Sequence, residues 1–91
     1  MRLTIVKDDS IVIINGNFNN TVDLSALPTG LHAVQWYETW GEIEWVDENG
    51  RAIKNEKIDS LDDYQWVIDA WYVKNQEVIN NPTPSWMQQY T

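Results

Sequence analysis

The sequence predicts an α+β fold: an antiparallel sheet of about four to six short strands, built from hairpins, with one C-terminal helix packed on one face. Three observations carry this. Apolar residues recur with period two over positions 3–58, turn residues interrupt them at short intervals, and the period changes to 3.6 after Ser60. With 91 residues there is room for one hydrophobic core and one domain, residues 1–80, followed by a C-terminal tail at 81–91.

Leu3 to Lys7 and Ile11 to Asn15 are β-branched runs, so they predict two strands joined by a hairpin at Asp8-Asp9-Ser10. Asn15-Gly16 marks a second tight turn, because both residues accept positive φ. Phe18 to Leu24 is the third strand expected. Ser25 to Gly30 is a loop that breaks at Pro28 and Gly30 and leaves Leu27 free to tuck beneath the sheet.

The next pair is the clearest. His32, Val34 and Trp36 alternate with Ala33, Gln35 and Tyr37; then Glu42, Glu44 and Val46 alternate with Ile43 and Trp45. Such alternation belongs to a sheet covered on one face and solvated on the other. Asp47 to Gly50 is a turn, and Arg51 to Lys57 is a short edge strand whose charges discourage further pairing. From Ser60, a good N-cap followed by Asp62 and Asp63, a helix is expected over 61–80. Leu61, Tyr64, Val67, Ile68, Trp71, Tyr72, Val78 and Ile79 form its broad apolar face, which should lie across the sheet. Asn81-Pro82 and Pro84 stop it.

Composition narrows the function classes. Hydrophobic residues make up 43% of the chain, which is too apolar for a disordered segment. The formal charge of −8 repels phosphate backbones and anionic membranes, so no nucleic-acid or membrane partner is expected. The chain has no cysteine, hence no disulfide framework, thiolate zinc site or catalytic thiol. The N-terminus lacks the apolar run of a secretory signal, and no stretch is long enough to span a bilayer, so a cytoplasmic location is expected.

No catalytic, cofactor or metal residue is assigned. His32, the single histidine, falls on the apolar face of its strand and reads as a satisfied core or edge residue. The serines occur in turns, a cap and the tail, with no nucleophile-elbow context. Asp47-Glu48-Asn49-Gly50 lacks the alternating ligands of a calcium loop. Glu38, Glu42 and Glu44 read as part of a solvated sheet face, since so small a domain offers little cleft for acid–base work. A noncatalytic protein is expected.

The aromatic content points elsewhere. Six tryptophans exceed what one small core holds, because each ring is large and its N–H needs an acceptor. Trp66 projects from the main apolar face of the helix with Ala70 and Val73 at i+4 and i+7. This second stripe suits docking on another helix or a symmetry mate, so a homo-oligomer is possible. Trp40 at a hairpin tip, and Trp86 with Tyr90 in the tail, are further candidates for a protein interface. Carbohydrate binding by Tyr37, Trp40 and Trp45 is an alternative. Another is an acidic decoy that presents Glu38, Glu42, Glu44, Asp47 and Glu48 to a host nucleic-acid-binding enzyme.

Three segments carry a family resemblance: Leu3-Thr4-Ile5-Val6-Lys7-Asp8-Asp9, Val22-Asp23-Leu24-Ser25-Ala26-Leu27-Pro28, and Leu31-His32-Ala33-Val34-Gln35-Trp36-Tyr37 followed by Gly41-Glu42-Ile43-Glu44. In this order they resemble a group of small proteins encoded by tailed bacteriophages and prophages in the tail or tail-fibre region. The resemblance implies a tail accessory protein, either a tail-fibre assembly chaperone or a minor structural subunit. A tail or tail-fibre protein would then be its partner, and the host cytoplasm or the virion tail its location. Asn81-Pro82-Thr83-Pro84 echoes the proline-rich ends of tail-fibre assembly proteins. No site residue is carried over from the group.

Overall fold

The computed structural model describes the backbone of residues 1–80 and the side chains of residues 1–75. Strands β1 (Arg2–Val6), β2 (Ile11–Ile14), β3 (Asn17–Asn19), β4 (Leu31–Tyr37), β5 (Gly41–Trp45) and β6 (Glu56–Ile58) precede a 3-10 turn, Asp62–Tyr64, and helix α1 (Gln65–Asn80). The strands form one antiparallel sheet in the order β3-β2-β1-β4-β5-β6. Two three-stranded meanders therefore meet at the β1–β4 pair, and the fold is α+β as the periodicities predict.

Register explains the core. Val12, Ile5, Val34 and Ile43 stand opposite one another across four strands; Ile14, Leu3, Trp36 and Gly41 form the adjacent row. Both rows face Val22, Leu24 and Leu27 from the β3–β4 connection and Tyr64, Val67, Ile68 and Trp71 from the helical segment, all of them buried. Each large side chain so buried contributes about 1.5–3 kcal/mol relative to exposure. The helix packs on β2 and β3 rather than across the whole face. The β3–β4 connection supplies apolar cover of its own.

Several elements differ from expectation, each for a local reason. β1 ends at Val6, and Lys7 joins the turn, where the Ser10 N–H donates to the Lys7 carbonyl at 3.1 Å with Ser10 at φ +54°. Asn15 and Gly16 take φ +50° and +84°, as their turn requires. The third strand stops at Asn19 because its side-chain Oδ1 accepts from the Thr21 N–H at 2.8 Å and the Thr21 hydroxyl at 2.7 Å. These bonds fold the chain back before Val22.

His32 is not on the apolar face. A bulge shifts the pairing between Leu31 and Ala33, so Leu31 and Val34 both reach the core and His32 is turned out half-exposed, 3.8 Å from Asp8. Of the segment Arg51 to Lys57, Ala52 makes a single bridge to Val46 and only Glu56–Ile58 becomes strand. The Asp47 carboxylate binds the Asn49 and Arg51 N–H groups, both at 2.9 Å, closing a turn after which the Ile53 N–H donates to the Trp45 carbonyl at 3.0 Å before the pairing lapses until Glu56. Ser60, expected as the N-cap, lies one residue before that position: Leu61 takes the N-cap position of a 3-10 turn, the Ser60 hydroxyl accepts from the Asp62 N–H at 3.1 Å, and the α-helix begins at Gln65. Tyr72, placed by periodicity on the apolar face, is 49% exposed, because it lies at the margin of the arc set by Val67, Ile68 and Trp71. The side chains of Val78 and Ile79 lie outside the described residues.

Candidate interaction surfaces

The helix presents two faces. Tyr64, Val67, Ile68 and Trp71 point into the core, and Asn75 accepts a 2.8 Å hydrogen bond from the Asn19 side-chain amide, which ties α1 to the edge strand β3. Burial pushes the Tyr64 hydroxyl pKa upward, reinforced by the Asp63 and Glu56 carboxylates. On the opposite side, Trp66 is 38% and Val73 56% exposed. Helical geometry places these two almost in line, two turns apart. Ala70, the third member of the stripe, packs against the margin of the core. The outer helix face is thus a Trp–Val pair flanked by Asp69, whose carboxylate accepts from the Gln65 amide at 3.0 Å.

The second surface is the sheet face away from the helix. One cross-strand row runs Phe18, Ile13, Thr4, Gln35, Glu42, Lys57 through all six strands. It grades from apolar at the β3 edge to charged at the β6 edge. A neighbouring row of Ile11, Val6, Ala33 and Glu44 repeats the grading. The face was expected to be mostly polar, and its β1–β3 half is not.

Gln35 organises the middle of this face. Its Oε1 accepts from the Thr4 hydroxyl at 2.8 Å and from Arg2 Nη2 at 3.1 Å, and its amide reaches Glu44. The Arg2 Nη1 donates to the carbonyls of Trp36 (2.8 Å) and Leu3 (3.0 Å), and the guanidinium lies 4.5 Å from the Tyr37 ring centroid. Tyr37 and Trp40 are 4.9 Å apart, and the Lys57 ammonium stands 5.6 Å from the Trp40 ring. A chain of cation and ring contacts therefore crosses one end of the sheet.

This chain of contacts decides how the aromatic candidates group. Trp40, 38% exposed, does sit at the β4–β5 hairpin tip with Tyr37. Trp45 does not join them, since it lies on the core side with Ile43 and its indole N–H donates to Glu56 Oε1 at 3.1 Å. The expected Tyr37, Trp40, Trp45 sugar platform is thus split between two faces, and cations already stand over two of its rings. Trp86 and Tyr90 lie outside the described residues.

The carboxylates are also divided. Glu42 and Glu44 share the open sheet face, Asp47 is occupied in its turn, and Glu38 stands at the hairpin tip with φ +79°. Hydrogen bonds from the Ser25 backbone and side chain hold Asp23 below the usual carboxylate range. Among the described residues, no group of three or more His, Asp or Glu side chains could hold a metal ion, and no helix is long and apolar enough to cross a membrane.

Sequence reading missed Phe18 and Ile53, 56% and 51% exposed. For Phe18 a signal existed: counting back across the Asn15-Gly16 turn pairs it with Ile13, whose parity is opposite to that of the buried Val12 and Ile14. The chain matches no protein-family model, no curated protein and no solved structure.

Proposed function

We propose that the chain is a noncatalytic interaction protein of tailed-phage or prophage origin, acting in the tail or tail-fibre region as an assembly factor or minor structural component. The observation that carries the contact role is the outer face of α1. Trp66 and Val73 are exposed there, while the core closes without them around Val67, Ile68 and Trp71. Tryptophan is among the residue types most enriched in binding hot spots, and Val73 extends the apolar surface beside it. The phage assignment rests on the three resembling segments.

The test is co-expression of the tagged chain with neighbouring tail genes, followed by capture at low and high salt. A fibre or baseplate protein retained at high salt, and lost with Trp66→Glu, supports the reading, since an apolar contact is not screened. Capture of a nucleic-acid-binding host enzyme at low salt alone would replace it with the acidic-decoy reading, and capture of nothing would remove the tail role.

A further inference from the structure

We propose that the chain pairs with a second copy of itself through the edge strand β3, joining two sheets into one about a two-fold axis at Phe18. Backbone register supplies the first argument. The Asn15 N–H donates to the Arg2 carbonyl at 2.9 Å, so Asn15, Ile13 and Ile11 turn their backbone groups toward β1, while Ile14 and Val12 turn theirs toward β3. Their partners Asn17 and Asn19 answer them. Phe18, between these two, directs both its N–H and its C=O outward from the sheet, where no described residue meets them. One outward donor and one outward acceptor on the same residue are self-complementary: under two-fold symmetry each N–H meets the mate's C=O.

The second argument is charge. In a chain of net charge −8, no charged residue occurs from Ser10 to Val22. The other edge, β6, carries Glu56 and Lys57 and is guarded in the usual way. Two acidic copies that meet at β3 keep Glu42 and Glu44 on the distant halves of their sheets. The third is the side chain. Phe18, 56% exposed at the apolar end of the open face, would lie directly opposite its mate and beside the two Ile13 side chains. This contact is separate from the helix stripe and does not depend on it.

Sedimentation equilibrium of the full chain over a range of concentrations, with amide hydrogen exchange at the same concentrations, tests the proposal. Dimer should accumulate with concentration and persist or strengthen as salt screens the like charges. The Phe18 N–H should exchange more slowly in step with it. Phe18→Lys, at an exposed site, should fold with unchanged circular dichroism and remain monomeric, whereas Trp66→Glu should still dimerise. A monomer at every concentration would overturn the proposal, as would a dimer in which Phe18 exchange is unaltered or which Trp66→Glu abolishes and Phe18→Lys does not.

Discussion

The two meanders of the sheet are built on different physics. In β1 and β2, buried residues alternate without interruption: Leu3 and Ile5, then Val12 and Ile14. The strands are joined by turns whose positive φ falls on Ser10, Asn15 and Gly16. In β4–β6 the regular pattern is broken by the bulge at His32, by Glu38 at φ +79° and by the close seating of Trp36 over Gly41. The Trp36 indole N–H donates to the Glu38 carbonyl at 3.1 Å, which fixes the hairpin tip from inside. Apolar alternation organises β1 and β2 of the first half, and the Asn19 side chain ends it. The second needs particular hydrogen bonds and one glycine, and polar work of this kind leaves a charged outer face where the first half leaves an apolar one.

The largest effect should come from the centre of the shared core. Ile5 is fully buried between Val12 and Val34, and Ile5→Ala should cost about 3–4 kcal/mol, read as a fall in the urea midpoint with unchanged slope. Gly41→Ala probes the second half. A Cβ there would stand 2.4 Å from the Gln35 carbonyl oxygen and 2.9 Å from the Trp36 ring, so backbone must move, with an expected loss of about 1–3 kcal/mol. A neutral result would show that the β4–β5 hairpin is looser than its register.

Smaller still is Asn19→Ala, which removes the buried amide joining β3 to Asn75 and Thr21. Denaturation should show a loss of about 1–2 kcal/mol, with faster amide exchange in β3 rather than in β5. A pH effect comes last. Tyr64 has a folded pKa above its ordinary value of about 10, so above that pH the unfolded chain releases its proton first and stability falls as pH rises; below it the contribution is constant. The urea midpoint of Tyr64→Phe should therefore decline less steeply than that of the parent chain above pH ~10.

Where one residue's neighbours along the chain determine its environment, sequence reading succeeds. The alternation of Leu3, Ile5, Val12 and Ile14, the Asn15-Gly16 turn and the Tyr64–Trp71 periodicity are such cases. It fails where a single extra residue changes parity. Alternation counted through the bulge places His32 inward, although Leu31 and Val34, both apolar and three apart, are the available clue. Asn19 falls inside the strand expected over Phe18 to Leu24, whereas its side chain is what ends the strand. Of the interface candidates, Trp66, Val73 and Trp40 are on the surface, Ala70 is at its margin, and Trp45 is on the wrong face to join Tyr37, because strand parity rather than closeness in sequence sets who shares a surface.

We propose that the outer face of α1 serves a partner and not the fold. Measuring stability and partner retention together for Trp66→Glu tests it most directly. A change in unfolding free energy within about 0.5 kcal/mol, with a tail or tail-fibre protein no longer retained at high salt, is the result predicted. A variant that still holds the partner, or that unfolds as readily as Ile5→Ala, would contradict it.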